Sequence, residues 1–134
     1  MRYRLDTHTF LWWDTRSSRL SRRVFDLISD RSNAVWLSMA SVWEIQIKHQ
    51  LARLELSAPL AEIIRVQQQE NGIHLLPIEL SHVLGLSDLP HHHKDPFDRL
   101  LIAQVMAENL VVLSHDPQFA RYPVQVVWLA ESCW

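Results

Sequence analysis

Short apolar runs alternate with segments of helical period along most of the chain, and this alternation most constrains the fold. The predicted strands cover residues 2–5, 34–37, 73–78, 110–113 and 124–128. The predicted helices lie between them, over residues 7–13, 20–28, 39–51, 59–71, 80–86 and 96–109. Apolar strands that alternate with helices are typical of a parallel sheet covered on both faces. We therefore expect an α/β fold with a central parallel sheet.

Several residues mark the ends of the predicted helices. Ser38 is a favourable N-cap for the third helix. Pro59 suits the first turn of the fourth helix, and Gly72 suits its C-terminal cap. Asp95 followed by Pro96 is a strong signal for the start of the last helix.

The size and cysteine content narrow the class of protein. The chain has 134 residues, which suits one domain over residues 1–134. Cys133 is the only cysteine, so neither a disulfide framework nor a cysteine-based zinc site is expected. No apolar run approaches the roughly 20 residues that span a bilayer, and no signal peptide is recognisable. We expect a cytoplasmic protein without a membrane partner.

Glycine and arginine content bear on nucleotide and nucleic-acid binding. The chain has only two glycines, which nearly excludes the glycine-rich loops of nucleotide-cofactor sites. The net charge of −2 does not by itself indicate nucleic-acid binding. Seven arginines nevertheless fall within the first 31 residues. They form either a solvated helix face or an edge that contacts phosphates.

Two aspartates follow predicted strands. Asp6 comes directly after the first strand, and Asp116 follows the strand at 110–113. Because ligands of open parallel sheets bind at the carboxyl ends of the strands, both aspartates are expected at one edge. Each also has a structural alternative. Asp6 would cap the next helix, and Asp116, which precedes Pro117, would open a turn.

Two further acids share the apolar faces of predicted helices. Asp98 and Glu44 each lie in a row of apolar residues at helical spacing. Acidic side chains are rarely buried unless they are paired or bind a cation, and a divalent metal relieves the repulsion among converging acids. Oxygen-only ligands suit Mg²⁺ or Mn²⁺, which can activate water against a phosphodiester. The alternative for Glu44 is that its side chain extends outward to solvent. Asp95, a fifth acid close to Asp98, is interpreted as a helix cap and not as a member of this group.

Four stretches of the chain carry recognisable motifs. They are LDTHTFLWW at 5–13, SMASVWEI at 38–45, HKDPFDRLLIAQ at 93–104, and LSHD at 113–116 followed by Phe119, Tyr122 and Pro123. In order and spacing they resemble the motifs of PIN-domain proteins, specifically the VapC toxins of bacterial toxin–antitoxin pairs. The third motif is the most specific, and the resemblance covers essentially the whole chain.

This resemblance implies a three-layer PIN-like fold with about five parallel strands and an Mg²⁺- or Mn²⁺-dependent endoribonuclease. Four acids match the catalytic and metal-binding positions of the family: Asp6, Glu44, Asp98 and Asp116. Thr7 and Ser114 match hydroxyl positions that flank the site. The family usually has arginine or asparagine where His115 stands, so this chain departs from the pattern there.

The resemblance also implies partners and products. Family members commonly form homodimers, are neutralised by a cognate antitoxin, and cleave structured RNA such as tRNA or ribosomal RNA. Hydrolysis by a metal-held water would leave 5′-phosphate and 3′-hydroxyl ends. Arg99, directly after Asp98, would either contact phosphate or form a structural ion pair.

Two other functions fit the sequence less well. Haloacid-dehalogenase-type phosphatases carry a second aspartate where this chain has His8. Response-regulator receivers use a lysine late in the chain, and neither Lys48 nor Lys94 fits that position. Some PIN-like domains have lost their acidic residues and serve as scaffolds without catalysis. All four acids are present in this chain, which argues against such a scaffold. Cleavage of RNA, as opposed to uptake of phosphate from acetyl phosphate, distinguishes the nuclease from the phosphotransfer enzymes.

Aromatic and histidine residues complete the predictions. Three tryptophans fall on predicted strands or helices and are expected in the core: Trp36, Trp43 and Trp128. Trp12 and Trp13 are adjacent on one helix, so one of them is expected to be exposed or covered by a partner. The run His91, His92 and His93 is interpreted as a solvated loop, because adjacent histidines point in different directions and do not make a zinc site.

Overall fold

Five parallel strands form the centre of the molecule in the computed structural model, which describes residues 1–89 and 95–128. The strands are β1 (Arg2–Leu5), β2 (Ala34–Ser38), β3 (His74–Leu76), β4 (Val111–Leu113) and β5 (Val126–Val127). Their order in the sheet is β3-β2-β1-β4-β5, and every neighbouring pair is parallel. The predicted α/β class and five-stranded parallel sheet are confirmed.

Six helices flank the sheet within the described part of the chain. They are α1 (Thr7–Asp14), α2 (Arg22–Ser29), α3 (Met39–Gln50), α4 (Leu60–Asn71), α5 (Leu80–Leu84) and α6 (Pro96–Glu108). Two 3₁₀ turns, Gly85–Asp88 and Pro117–Arg121, follow α5 and β4. No helix within residues 1–89 and 95–128 is long and apolar enough to cross a membrane.

The predicted helix-end signals at Ser38, Asp95 and Gly72 are confirmed, whereas Pro59 lies at the N-cap of α4, one residue before its first turn. Ser38 Oγ accepts a hydrogen bond from the Ala40 amide at 3.0 Å, which starts α3 at the end of β2. Asp95 Oδ1 accepts from the Phe97 amide at 2.8 Å and so caps α6. Gly72 ends α4 with a φ of 67°, a left-handed conformation that glycine adopts without strain.

β1 has its predicted bounds and β2 is one residue longer than predicted, whereas β3, β4 and β5 are shorter than the apolar runs that predicted them. β3 ends at Leu76 because Pro77 has no amide hydrogen to donate to a neighbouring strand. β4 begins only at Val111, after Asn109 has ended α6 in the left-handed region. The helix predicted over 80–86 divides into α5 and the 3₁₀ turn that follows it. Element type was therefore easier to predict than element length.

The core lies on both faces of the sheet. Val111 and Leu113 of β4 belong to one cluster of buried apolar side chains, whereas Val112 between them belongs to another. Alternate residues of a strand point to opposite faces, so this division shows that helices cover both sides. Because helices cover both faces of the sheet, polar side chains lie together at the carboxyl ends of the central strands.

The tryptophans agree only partly with the predictions. Trp128 is buried, and Trp36 is half-buried. Trp43 was expected in the core, but it is 56% exposed and forms an edge-to-face contact with Phe97. Trp12 and Trp13 are both half-buried, on different sides of α1. The histidines predicted to form a loop at 91–93 lie outside the described residues.

Candidate active site

Three neighbouring strands end side by side at the proposed edge. Leu5 of β1 is in register with Leu37 of β2 and with Leu113 of β4. The residues that follow these leucines are Asp6, Ser38 and Ser114. The parallel register thus brings polar side chains from three distant parts of the sequence together.

Asp6 is fixed at the centre of this edge and is only 6% exposed. Its Oδ1 accepts from the Thr7 amide at 2.8 Å, and its Oδ2 accepts from Ser114 Oγ at 2.9 Å. Burial raises the pKa of Asp6, although Arg4, Ser114, His8 and the Thr7 amide each act to lower it. Asp6 therefore caps α1 and is also a buried carboxylate whose charge is poorly solvated.

Ser114 connects Asp6 with Asp116. Besides donating to Asp6, Ser114 Oγ accepts from the Asp116 amide at 3.0 Å. Asp116 Oδ1 accepts from the Gln118 amide at 2.9 Å and caps the 3₁₀ turn. The turn-opening role considered for Asp116 is therefore present, and the same residue lines a pocket with Asp6.

Glu44 points into the protein and does not extend to solvent. It is 4% exposed, and Thr7 Oγ1 lies 2.9 Å from its Oε1. Lys48 Nζ donates to its Oε2 at 2.6 Å. Burial opposes the charge on Lys48, but the hydrogen bond to Glu44 and the charges of Glu44, Asp95 and Asp98 outweigh it and raise the pKa of Lys48.

Asp98 lies half-buried in the first turn of α6 and interacts electrostatically with Arg4 and Lys48. Its negative charge acts to raise the pKa of both Arg4 and Lys48, although burial lowers the pKa of Arg4 overall. Trp43 and Phe97, which directly precede Glu44 and Asp98 in the sequence, stack edge to face with ring centroids 5.1 Å apart. This aromatic contact joins α3 to α6 where each helix carries its acid.

Arg4 belongs to the arginines predicted on a solvated face or a phosphate-contacting edge, but the structure places it inside the protein, where it acts on the acids Asp6 and Asp98. It is fully buried in β1, and its Nη1 donates to the Leu5 carbonyl at 3.1 Å. Its Nε and Nη2 have no hydrogen-bond partner among the described residues. Burial lowers the pKa of Arg4 to about 10, while Asp6 and Asp98 act to raise it. The signal was an arginine between apolar residues of a central strand, directly before the first acid.

Arg99 forms backbone contacts. Its Nη2 donates to the carbonyl oxygens of Leu86, at 3.1 Å, and Leu89, at 3.5 Å. These bonds hold the 3₁₀ turn after α5 against α6. The structure thus gives Arg99 a local structural role, different from the ion pair considered for it.

The acids are linked in pairs and do not form one tight cluster. Asp6 and Asp116 line the same pocket, Asp6 and Asp98 both act on Arg4, and Asp98 and Glu44 both act on Lys48. Within residues 1–89 and 95–128, no group of three or more acidic, histidine or cysteine side chains is close enough to hold a metal ion. The donors are all carboxylate oxygens, so their chemistry fits a hard cation such as Mg²⁺. Binding one would require these side chains to approach one another.

Comparisons with known proteins agree with this fold. The family model described as the PIN domain matches residues 3–125. No curated protein has a significantly similar sequence.

Solved structures have the same fold at low sequence identity. VapBC2 from Rickettsia felis, bound to a promoter DNA fragment, has a TM-score of 0.71 and 14% identity over 94% of this chain and 97% of that chain. DNA-bound VapBC from Salmonella typhimurium has a TM-score of 0.66 and 16% identity over 94% and 96% of the two chains. A toxin–antitoxin complex from Klebsiella pneumoniae has a TM-score of 0.60 and 16% identity over 93% and 95%. The family model matches nearly the whole chain, and the chain therefore belongs to the PIN-domain family.

Proposed function

We propose that the chain is a single PIN domain that acts as a metal-dependent endoribonuclease, the toxin of a toxin–antitoxin pair. The observation that carries this proposal is Asp6, a buried carboxylate at the strand edge that Ser114 connects to Asp116. The charged form of this buried carboxylate is unfavourable in the folded protein, and groups with such raised pKa values concentrate at functional sites. Binding of a cation would offset that cost.

Asp6, Asp98 and Asp116, with Glu44, would hold Mg²⁺ or Mn²⁺. The bound ion would lower the pKa of a water and offset charge that develops on a phosphodiester. The water would attack phosphorus and the 3′-oxygen would leave, which gives 5′-phosphate and 3′-hydroxyl ends. The ion in this proposal replaces part of the charge compensation that Arg4 and Lys48 provide without it.

The two hydroxyl residues would orient the acids. Ser114 Oγ donates to Asp6 and so fixes the direction of its carboxylate. Thr7 Oγ1 lies 2.9 Å from Glu44 Oε1 and from Ser41 Oγ. Side chains that orient ligands in this way typically change metal affinity or activity by about 10–100-fold when removed.

Partners follow from the same proposal. The similar structures include a toxin–antitoxin complex and two VapBC assemblies bound to DNA. We propose that this chain likewise binds a cognate antitoxin, forms a homodimer, acts in the cytoplasm and cleaves tRNA or ribosomal RNA.

Growth arrest on expression tests the proposal. Wild type should arrest growth, and Asp6→Asn and Asp98→Asn should not. Asp26→Asn is the matched control, because Asp26 is an exposed aspartate on α2 and should leave toxicity intact. If Asp6→Asn and Asp98→Asn both remain fully toxic while present at wild-type levels, the assignment of the acids is wrong.

A further inference from the structure

An open pocket adjoins the carboxylates on the side of α1. It has a volume of about 360 Å³ and lies between the start of α1 and the segment after β4. Its lining residues are Asp6, His8, Trp12, Arg19, His115 and Asp116. One wall thus consists of two proposed metal ligands, and the remaining walls carry rings and one arginine.

The rings of the pocket form a connected aromatic surface. The His115 ring lies 4.9 Å from Trp128, and Trp12 meets Trp128 edge to face at 5.3 Å. The His8 ring lies 6.1 Å from Trp12. Trp128 is buried and anchors this arrangement, whereas His8 and His115 are exposed. Exposed rings held against a buried anchor offer flat faces that need little reordering to bind another ring.

Arg19 supplies a positive charge to the same pocket. Its side chain is exposed and makes no hydrogen bond or ion pair within residues 1–89 and 95–128. A guanidinium is well suited to bind phosphate oxygens. The pocket therefore combines flat aromatic faces with a phosphate-binding group beside the carboxylates.

We propose that this pocket binds one unpaired nucleotide of single-stranded RNA, next to the phosphodiester that is cleaved. The base would stack on the His115 and His8 rings beside Trp12, and Arg19 would contact a backbone phosphate. Stacking on side chains needs a base that is free of its neighbours, as in a loop, and this excludes a continuous duplex. The inference rests on the proposed function and names the residues of this chain that would hold the base and its phosphate.

Binding measurements with an inactivated protein test this inference. Asp98→Asn provides the background, and the probes are a short fluorescein-labelled RNA without secondary structure and the same RNA as a duplex. The inference predicts tighter binding of the single strand. In this background His115→Ala should weaken binding of the single strand by about 10-fold, in the range typical of base–aromatic stacking, while His115→Phe should retain most of it. Arg19→Ala should weaken binding and reduce its salt dependence by about one phosphate contact.

Control variants separate this effect from general charge loss and from misfolding. Arg23→Ala removes an exposed arginine of α2 that does not line the pocket, and it should leave binding within about twofold of the background protein. The substituted side chains Arg19 and His115 are exposed, so melting temperatures should be unchanged. Unchanged affinity after both His115→Ala and Arg19→Ala, or tighter binding of the duplex, would overturn the inference.

Failure of the subsite is distinguishable from failure of the proposed function. If wild type cleaves RNA but the pocket variants bind it normally, the nuclease assignment remains and the subsite is wrong. If the pocket variants lose binding but wild type never cleaves RNA, the subsite remains and the nuclease assignment is wrong.

Discussion

Lys48 Nζ lies 2.6 Å from Oε2 of Glu44, one turn earlier on the same helix. Glu44 is buried and Lys48 is half-buried, so the lysine compensates a carboxylate that water hardly reaches. Any metal ion that binds Glu44 has to compete with this ammonium group. The ion pair therefore links the stability of the metal-free protein to its affinity for metal.

Lys48→Met should destabilise the metal-free protein. Loss of the lysine ammonium leaves the Glu44 carboxylate buried without a cation, which should lower the free energy of unfolding by about 1–3 kcal/mol. Urea unfolding in EDTA measures this change. Arg22→Met is the control, because Arg22 and Asp26 form an i,i+4 ion pair whose members are both exposed, and it should cost less than about 0.5 kcal/mol. Equally small losses in the two variants would refute the account of Lys48.

Lys48→Met should also strengthen the response to Mn²⁺. Without the competing ammonium, Glu44 becomes available to the ion, so Mn²⁺ should raise the melting temperature more in the variant than in wild type. Thermal unfolding with and without Mn²⁺ measures both increments. Equal increments would show that Glu44 is not a metal ligand.

Asp6→Asn should stabilise the metal-free protein at neutral pH. The pKa of Asp6 is raised above 3.8 in the folded state, so the folded protein favours the protonated form. The penalty for the charged form is absent below pH 3.8 and develops as pH rises through the raised pKa. Unfolding in EDTA across this range should therefore show the free energies of variant and wild type diverging as pH rises.

Asp30→Asn is the control of opposite sign. Hydrogen bonds from Ser32 lower the pKa of Asp30, so its carboxylate contributes stability above its ordinary pKa and loses it as pH falls through the lowered pKa. This variant should be less stable than wild type at neutral pH. An Asp6→Asn variant that follows the Asp30→Asn pattern would contradict the electrostatics derived for Asp6.

Arg4 and Asp6 should be energetically coupled. Arg4 acts to lower the pKa of Asp6, so Arg4→Met should cost more stability when Asp6 is charged than when it is replaced by asparagine. A double-mutant cycle with Arg4→Met, Asp6→Asn and both together should give a coupling energy of about 0.5–3 kcal/mol at neutral pH. Additive effects would mean that Arg4 is only a packing residue.

The strand-edge part of the site could be predicted from the sequence because it depends on local order. Asp6 follows a strand directly, and Asp95 precedes a proline at a helix start. Parallel pairing that sets Leu5 opposite Leu113 then places Asp6 beside Ser114. These features need only the period and ends of each element.

The remaining part depends on which helix face meets which neighbour. From the sequence, Lys48 and Glu44 are an ordinary i,i+4 pair of a helix surface. The packing of α3 shows that Glu44 is buried, and this could not be predicted from the spacing. Trp43 was predicted in the core, but its edge-to-face contact with Phe97 leaves it 56% exposed. His115 departs from the family pattern. Its tertiary contact with Trp128 shows that it belongs to the aromatic surface of the pocket.

The chemistry of RNA cleavage by the purified protein tests the central claim most directly. In the presence of Mg²⁺ or Mn²⁺, wild type should release fragments with 5′-phosphate and 3′-hydroxyl ends, and EDTA should stop the reaction. Asp6→Asn should lose more activity than the roughly 10–100-fold typical of residues that only orient ligands. Fragments that end in a 2′,3′-cyclic phosphate, or cleavage that persists in EDTA or in Asp6→Asn, would contradict the account.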